Sequence, residues 1–222
     1  MLLGVVSDIH GNNVALEAVL ADMGEVDKLV CLGDIVGYGP APKQCLKTVR
    51  EQFDTVLKGN HDRDVQKTDP YTNELANAGL AYAREKLSEE EITWLDSLPE
   101  TQTVEFDGKK ILLAHSHPTD TDTYVRPGAF PRLRPYLDDE LGVFIGHTHV
   151  QHKALIDGKL IMNPGSVGQP RDGPTTAAYA LFDTETNDLE LRRVEYDISA
   201  VYDAVEDAGL PQKIGTRLKE GW

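Results

Sequence analysis

The sequence predicts an α/β (α+β) protein built from two packed sheets with helices outside. Three observations carry this reading. Short apolar runs alternate with amphipathic stretches through the first half, strand pairs around Asp-Gly turns dominate the second half, and no linker, repeat or low-complexity tract divides the 222 residues. At roughly 150 residues per domain, this length predicts one domain over residues 1–222 with a substantial core.

Each element follows from its local pattern. Leu2 to Val6 reads as a buried strand, Asn13 to Met23 as a helix entered through an Asn cap and closed by Gly24, and Lys28 to Leu32 as a second strand, together a βαβ opening. Ala41 to Gln52 is the next helix, Asp54 to Leu57 the third strand, and Asn73 to Leu87 a further helix. Ser88 and Glu91 then make a capping box for a helix carrying Trp94 and Leu98. In the second half, Thr103 to Phe106 and Lys110 to Ala114 flank Asp107-Gly108, while Ala154 to Ile156 and Lys159 to Met162 flank Asp157-Gly158. Each pair reads as a hairpin with a tight turn. Thr176 to Phe182 and Leu189 to Val194 add two strands, and Ile198 to Ala208 is a closing helix. The Pro- and Thr-rich stretch from Pro118 to Pro135 reads as a long surface loop with a short helix.

Composition narrows the function. With 40% hydrophobic and 27% charged residues the chain is a globular protein, neither disordered nor a membrane bundle. Asp and Glu outnumber Lys and Arg by 37 to 22, a net charge of −15, which argues against strong nucleic-acid binding or an anionic membrane as partner. Phosphate chemistry must therefore bring its own local positive charge. The surplus acid reads as a solvated surface or, alternatively, as adaptation to high salt, and stability measured against KCl separates the two. Cys31 and Cys45 are too few for a disulfide framework and read as reduced. No apolar stretch approaches the roughly 18 residues of a membrane span, and no secretory segment opens the chain, so the expected location is cytoplasmic.

The histidines cluster in short polar segments. Asp8-Ile9-His10-Gly11, Gly33-Asp34, Gly59-Asn60-His61-Asp62, His115 and Gly146-His147-Thr148-His149 each follow an apolar run, the place where α/β folds put their ligands. Together they offer carboxylates, imidazoles and one amide without a thiolate. That donor set suits divalent ions of borderline hardness, Mn, Fe, Zn or Ni. Asp8, His10, Asp34, Asn60, His115, His147 and His149 are more ligands than one ion takes, so two ions are expected, with Asp34 able to bridge. In an extended chain, residues i and i+2 share a side, so Asp8 with His10, and His147 with His149, are each expected to converge on one centre.

The ordered set of these segments is similar to that of the calcineurin-like metallophosphoesterase superfamily. The strings Val6 to Asn12, Gly33 to Pro40 and Asn163 to Gly168 resemble its small, single-domain prokaryotic phosphodiesterase branch. The resemblance implies the four-layer αββα sandwich. It also implies one ion on Asp8, His10, Asp34 and His149, a second on Asp34, Asn60, His115 and His147, and His61 as general acid toward the leaving group. Mn²⁺ is the first choice of metal. The implied activity is a dinuclear metal-dependent phosphoric (di)ester hydrolase acting on a small phosphodiester or nucleotide through a metal-bridging hydroxide. Phosphomonoester or dinucleoside polyphosphate hydrolysis is the alternative, and a non-catalytic scaffold of the same fold the third reading. Protein Ser/Thr phosphatases of the superfamily carry an Asp and an Arg where this chain has Gly37 and Tyr38, which disfavours protein substrates. Arg63, Arg126 and Arg171 are candidates to hold substrate phosphate, and Asp62 to orient His61. His117 and His152 read as surface residues and Ser166 as part of a structural turn. The partner expected is a small phosphoester, with a homo-oligomer compatible with the sequence.

Overall fold

The computed structural model describes residues 1–222. Ten strands form two five-stranded mixed sheets. β1 (Leu2–Val6), β2 (Lys28–Cys31) and β3 (Thr55–Val56) run parallel, and β9 (Ala177–Asp183) and β10 (Asp188–Val194) extend that sheet antiparallel in the order β10-β9-β1-β2-β3. The second sheet has the order β4-β5-β6-β8-β7. In it β5 (Lys109–Ala114), β6 (Gly142–Phe144) and β8 (Lys159–Asn163) are parallel, with β4 (Thr101–Phe106) and β7 (His152–Ile156) as antiparallel edges. Both hairpins form on their Asp-Gly turns, Asp107-Gly108 at φ 49° and 74° and Asp157-Gly158 at 47° and 75°. Positive φ at both central residues matches the right-handed strand twist of a tight hairpin.

The two sheets face each other through an apolar layer of Leu3, Val5, Leu113, Phe144 and Phe182. The rings of Phe144 and Phe182 meet edge to face at 5.5 Å, one from each sheet. Phe144→Ala is expected to destabilise the protein by about 3–5 kcal/mol, because the cavity opens where neither sheet can collapse alone. Chemical denaturation measures it, and a loss below about 1 kcal/mol would mean that the layer repacks freely.

Helices cover the outside. α1 (Asn13–Met23) and α2 (Pro42–Gln52) pack on the first sheet with α4 (Glu74–Lys86) and α5 (Glu89–Ser97). The Asn12 side chain accepts from the Ala15 N–H at the start of α1, and the Ser88/Glu91 capping box opens α5. The short α3 (Asn60–Asp64) stands on the polar segment Gly59-Asn60-His61-Asp62, for which the sequence predicts no helix. α6 (Ile198–Asp207) and α7 (Lys213–Thr216) close the chain against Tyr38. The outer face of the second sheet is covered by a 3₁₀ segment, Pro127–Tyr136, whose Pro131 and Pro135 each lack an amide donor. Cys31 and Cys45 are buried free thiols, and no helix is long and apolar enough to cross a membrane.

Candidate metal centre

Every predicted ligand sits just beyond the carboxyl end of a parallel strand. β1 leads to Asp8 and His10, β2 to Asp34, β3 to Asn60, β5 directly to His115, and β6 to His147 and His149. All seven side chains are buried. The backbone that presents them differs from the extended chain expected above. Asp8, His10, Asp34, His147 and His149 lie in the left-handed region, with φ of 54°, 48°, 56°, 65° and 58°. Asp8 and His10 therefore converge through a tight curl, and so do His147 and His149. The curls persist because neighbouring segments hold them. Ser166 Oγ donates to the Asp8 carbonyl at 2.7 Å, and Asn163 Nδ2 donates to the Gly146 carbonyl at 2.6 Å and to Thr148 Oγ1 at 3.0 Å. Ser166 is thus the structural brace that its sequence context suggests.

Histidine orientation is fixed from behind. The Nδ1 of His10 donates to the Val36 carbonyl at 3.1 Å, that of His115 to Leu32 at 2.8 Å, and that of His149 to Gln169 at 2.6 Å. With Nδ1 committed, the neutral rings of His10 and His149 turn an Nε2 lone pair inward, and His115 does so once it loses its second proton, the arrangement metal-binding histidines use. The Nε2 atoms of His10 and His149 lie 3.1 Å apart. Two facing lone pairs at that distance repel unless a cation or proton lies between them. The same need appears at Asp8 Oδ1 and His147 Nε2, both buried without a hydrogen-bond partner. Asp34 Oδ2 stands 3.5 Å from both His10 Nε2 and His115 Nε2, and Asn60 Oδ1 lies 3.2 Å from His115 Nε2.

The donors fall into three tight groups: Asp8 with His10 and His149, Asp34 with His115 and His147, and His10 with Asp34 and His61. The first two fit the two-ion division, with Asp34 between them, and the orphaned donors show that cations fit the site. His61 is drawn into the same cluster. Its main-chain N–H donates to Asp34 Oδ1 at 2.8 Å, and its ring is held between Tyr38 and Tyr71, with centroids 5.0 Å away on each side. Gly59 permits this approach, since a Cβ there would meet Asp34 Oδ1 at 2.0 Å.

Protonation follows from burial and partners. Burial favours the neutral carboxyl at Asp8 and Asp34, yet the surrounding imidazoles, His149 for Asp8 and His115 for Asp34, hold both well below the usual carboxylate range. Burial pushes His147 and His61 down to about 4. His115 goes the other way. Burial opposes its charge, but the Asp34 carboxylate prevails and raises it to about 9. The proton on His115 would have to leave before its Nε2 could ligate an ion. Below about pH 9 ion affinity is expected to rise with pH, with about one proton released per molecule near neutrality. Calorimetry in buffers of different ionisation enthalpy checks this; affinity flat between pH 6 and 9 would contradict it.

Some expected roles change. Asp62 does not orient His61 and is buried: Oδ1 accepts the Ile35 and Val36 N–H groups at 3.0 and 3.1 Å, and Oδ2 the Gly59 N–H at 3.0 Å. It staples the Asp34 loop to α3. Burial and the neighbouring Asp34 carboxylate push Asp62 up to about 7, against the pull of those amide donors. The Nδ1 of His61 is buried without a partner, and a Cβ on Gly37 would lie 2.4 Å from it. The ring of His61 thus fills the space that a side chain at position 37 would need. Arg63 is engaged by Asp64 and Asp122 through both edges of its guanidinium, so it is not free to hold phosphate. Arg126 is exposed beside the Tyr124 ring, and Arg171 reaches Gln169 and Tyr38. His117 packs on Tyr136 and His152 is exposed on β7, both surface positions as expected.

Sequence reasoning missed two tyrosines. Asn60 Nδ2 donates to Tyr71 Oη at 2.7 Å, and Tyr71 donates on to Asp64 Oδ2 at 3.0 Å, which turns Asn60 Oδ1 toward His115. Tyr124 covers the His147 ring at 4.2 Å. Tyr71 follows a Pro in an irregular turn and carries no local signal. Tyr71→Phe is expected to weaken ion binding on the Asn60 side about 10–100-fold with the fold intact, as loss of an outer partner does; unchanged affinity in a metal titration would show that Asn60 orients itself. A cleft of about 550 Å³ opens over Asn60 and His147, lined also by Lys67, Tyr71 and Tyr124.

A two-sheet α/β sandwich with buried Asp and His donors gathered at its strand ends defines a metallophosphoesterase. The chain belongs to the calcineurin-like phosphoesterase superfamily, whose domain matches residues 1–187. It is 35% identical to an uncharacterised protein of Methanocaldococcus jannaschii over 98% of this chain and 97% of that one. A metallophosphoesterase from Sphaerobacter thermophilus shares the fold at a TM-score of 0.86 and 34% identity, covering 100% of this chain and 99% of the other. An archaeal phosphodiesterase shares the fold alone, at a TM-score of 0.54 and 17% identity over 87% of this chain and 100% of its own.

Proposed function

We propose that the protein, acting as one domain over residues 1–222, is a two-ion phosphodiesterase that hydrolyses a small phosphodiester or nucleotide. The observation that carries the reading is Asp34 Oδ2 set midway between His10 and His115, between two buried donor groups, with His61 beside them. When bound, two divalent ions supply positive charge against the phosphate and acidify a water for attack. Asp8, His10, Asp34 and His149 hold one ion, and Asp34, Asn60, His115 and His147 the other. Nitrogen and oxygen donors without thiolate suit Mn²⁺, the metal to load first, with Fe, Zn and Ni behind it.

His61 serves the leaving group. In its protonated form the imidazole gives one N–H proton to the departing oxygen and returns to the neutral ring, and an anionic phosphate beside it favours that protonated form against the burial that pushes it down. Tyr38 and Tyr71 fix the plane of its ring. The open cleft over Asn60 and His147 leaves space for the second ester substituent of a diester. The test is hydrolysis of bis-p-nitrophenyl phosphate beside p-nitrophenyl phosphate, with Mn²⁺ or chelator. Metal-dependent cleavage of the diester supports the reading. Activity on the monoester alone makes the protein a phosphomonoesterase, and silence on both with ions bound favours a scaffold.

A further inference from the structure

On the side of His10 and His61, the wall of the site comes from the C-terminal segment. Val201, Val205, Leu210, Ile214 and Leu218 pack with Tyr38 in one apolar cluster and bring the end of the chain against the centre. Arg217 arrives with them, its guanidinium carbon 5.8 Å from the Tyr38 ring centroid. Arg171, from the loop after β8, stands 5.7 Å from the same ring. Tyr38 in turn lies 4.9 Å from the His10 ring and 5.0 Å from that of His61. Two guanidinium groups therefore converge one ring away from the ion cluster.

Neither is paired with an Asp or Glu side chain. Arg171 donates to Gln169 Oε1 at 2.7 Å and reaches the Tyr38 hydroxyl at 3.4 Å, while Arg217 donates its Nε to the main-chain oxygen of Trp222 at 2.8 Å. Arg217 is only 9% exposed. Of the other part-buried arginines, Arg63 meets Asp64 and Asp122 and Arg193 meets Asp172, whereas Arg84 and Arg134 meet main-chain carbonyls. With 37 acidic residues available, two guanidinium groups set around one ring without an Asp or Glu beside them, Arg217 meeting only the oxygen of Trp222, are a local inversion of the chain's charge. Lys213 and Lys219 add to it, flanking Arg217 in a stretch without an acid. Burial and the charge of Arg171 both work against the proton on Arg217. Like charges held together this way are stabilised by an anion between them, and guanidinium binds phosphoryl oxygens through paired N–H donors.

We propose that Arg171 and Arg217, arranged around Tyr38, form a second anion subsite that holds an uncleaved phosphoryl group of the substrate. This rests on the phosphoesterase reading and narrows it to phosphoesters that carry a second phosphate, such as nucleoside polyphosphates. The cleaved group lies at the ions, and the second reaches past His10 to the arginine pair.

The test is calorimetric titration of the metal-loaded protein with methylphosphonate and with methylenediphosphonate, which differ by the second anionic group. The wild type is expected to prefer the diphosphonate by about tenfold or more, one charge-assisted contact being sufficient for that factor. The preference is expected to collapse in Arg171→Gln and in Arg217→Gln and to return in part in Arg217→Lys. If Arg217→Gln fails to fold by circular dichroism, Arg171→Gln carries the comparison. Absence of preference in the wild type overturns the subsite. So does a preference that survives in the Gln variants, as metal stripping by the diphosphonate would give. Hydrolysis of bis-p-nitrophenyl phosphate is measured on the same samples. Turnover without preference sinks the subsite alone, and preference without turnover sinks the phosphodiesterase reading alone.

Discussion

Asp34→Asn is expected to cut metal-dependent hydrolysis of bis-p-nitrophenyl phosphate by about 10³-fold or more. An ion's charge at the transition state is worth several kcal/mol, and about 4 kcal/mol corresponds to that factor. Asp34 stands in both proposed donor sets, its Oδ2 midway between His10 and His115. Asparagine keeps the shape and still accepts the His61 main-chain N–H, the contact now made by Oδ1. It turns an amide toward the imidazoles where a carboxylate attracted cations, so the sandwich stays folded while ion content falls. A second readout is independent of turnover. His115 owes its raised pKa to the Asp34 carboxylate, so proton release on ion addition should also vanish in the variant. Full activity with a full complement of ions would remove Asp34 from the centre.

His61→Ala is expected to slow cleavage by about 10²–10⁴-fold for a diester with an alkyl leaving group, the usual contribution of a positioned proton donor. The loss should be much smaller with p-nitrophenolate, a weak base that departs with little help. This contrast separates proton donation from ion binding, because a damaged ion site slows both substrates equally. His61 lies close enough to His10 and Asp34 for the distinction to matter. Equal losses on both leaving groups would reassign His61 to the ion cluster.

How much was legible in the sequence depended on how local its cause was. The Asp-Gly hairpins, the Asn12 cap and the Ser88/Glu91 box are settled by neighbours in the chain, and each forms as expected. The seven candidate ligands were visible because polar residues directly after apolar runs have few other reasons to be there, and all seven meet at one place. β6 escaped notice, since its three residues, Gly142 to Phe144, are too few to show a period. α3 was hidden for a different reason: Asp62 reaches across to the amides of Ile35 and Val36, a tertiary contact that overrides the turn preference of Gly-Asn-His-Asp. The curled backbone at Asp8, His10, His147 and His149 was likewise misread as extended, because what bends it is Asn163 and Ser166, some 15 to 158 residues away. Tyr71 and Arg217 reach the site from irregular or short elements, where no spacing rule applies.

Five of the seven candidate ligands hold a left-handed backbone that only glycine adopts freely. At about 1–3 kcal/mol for each such residue, the curls withhold an appreciable part of the stability the chain would otherwise have. A glycine at any of them relaxes the main chain and deletes a donor in the same stroke. Selection for robustness and selection for chemistry therefore pull this sequence in opposite directions. A laboratory screen for heat-resistant variants, run without an activity filter, is expected to favour glycine first at His147, whose Nε2 has no hydrogen-bond partner to lose, and to give up hydrolysis with it.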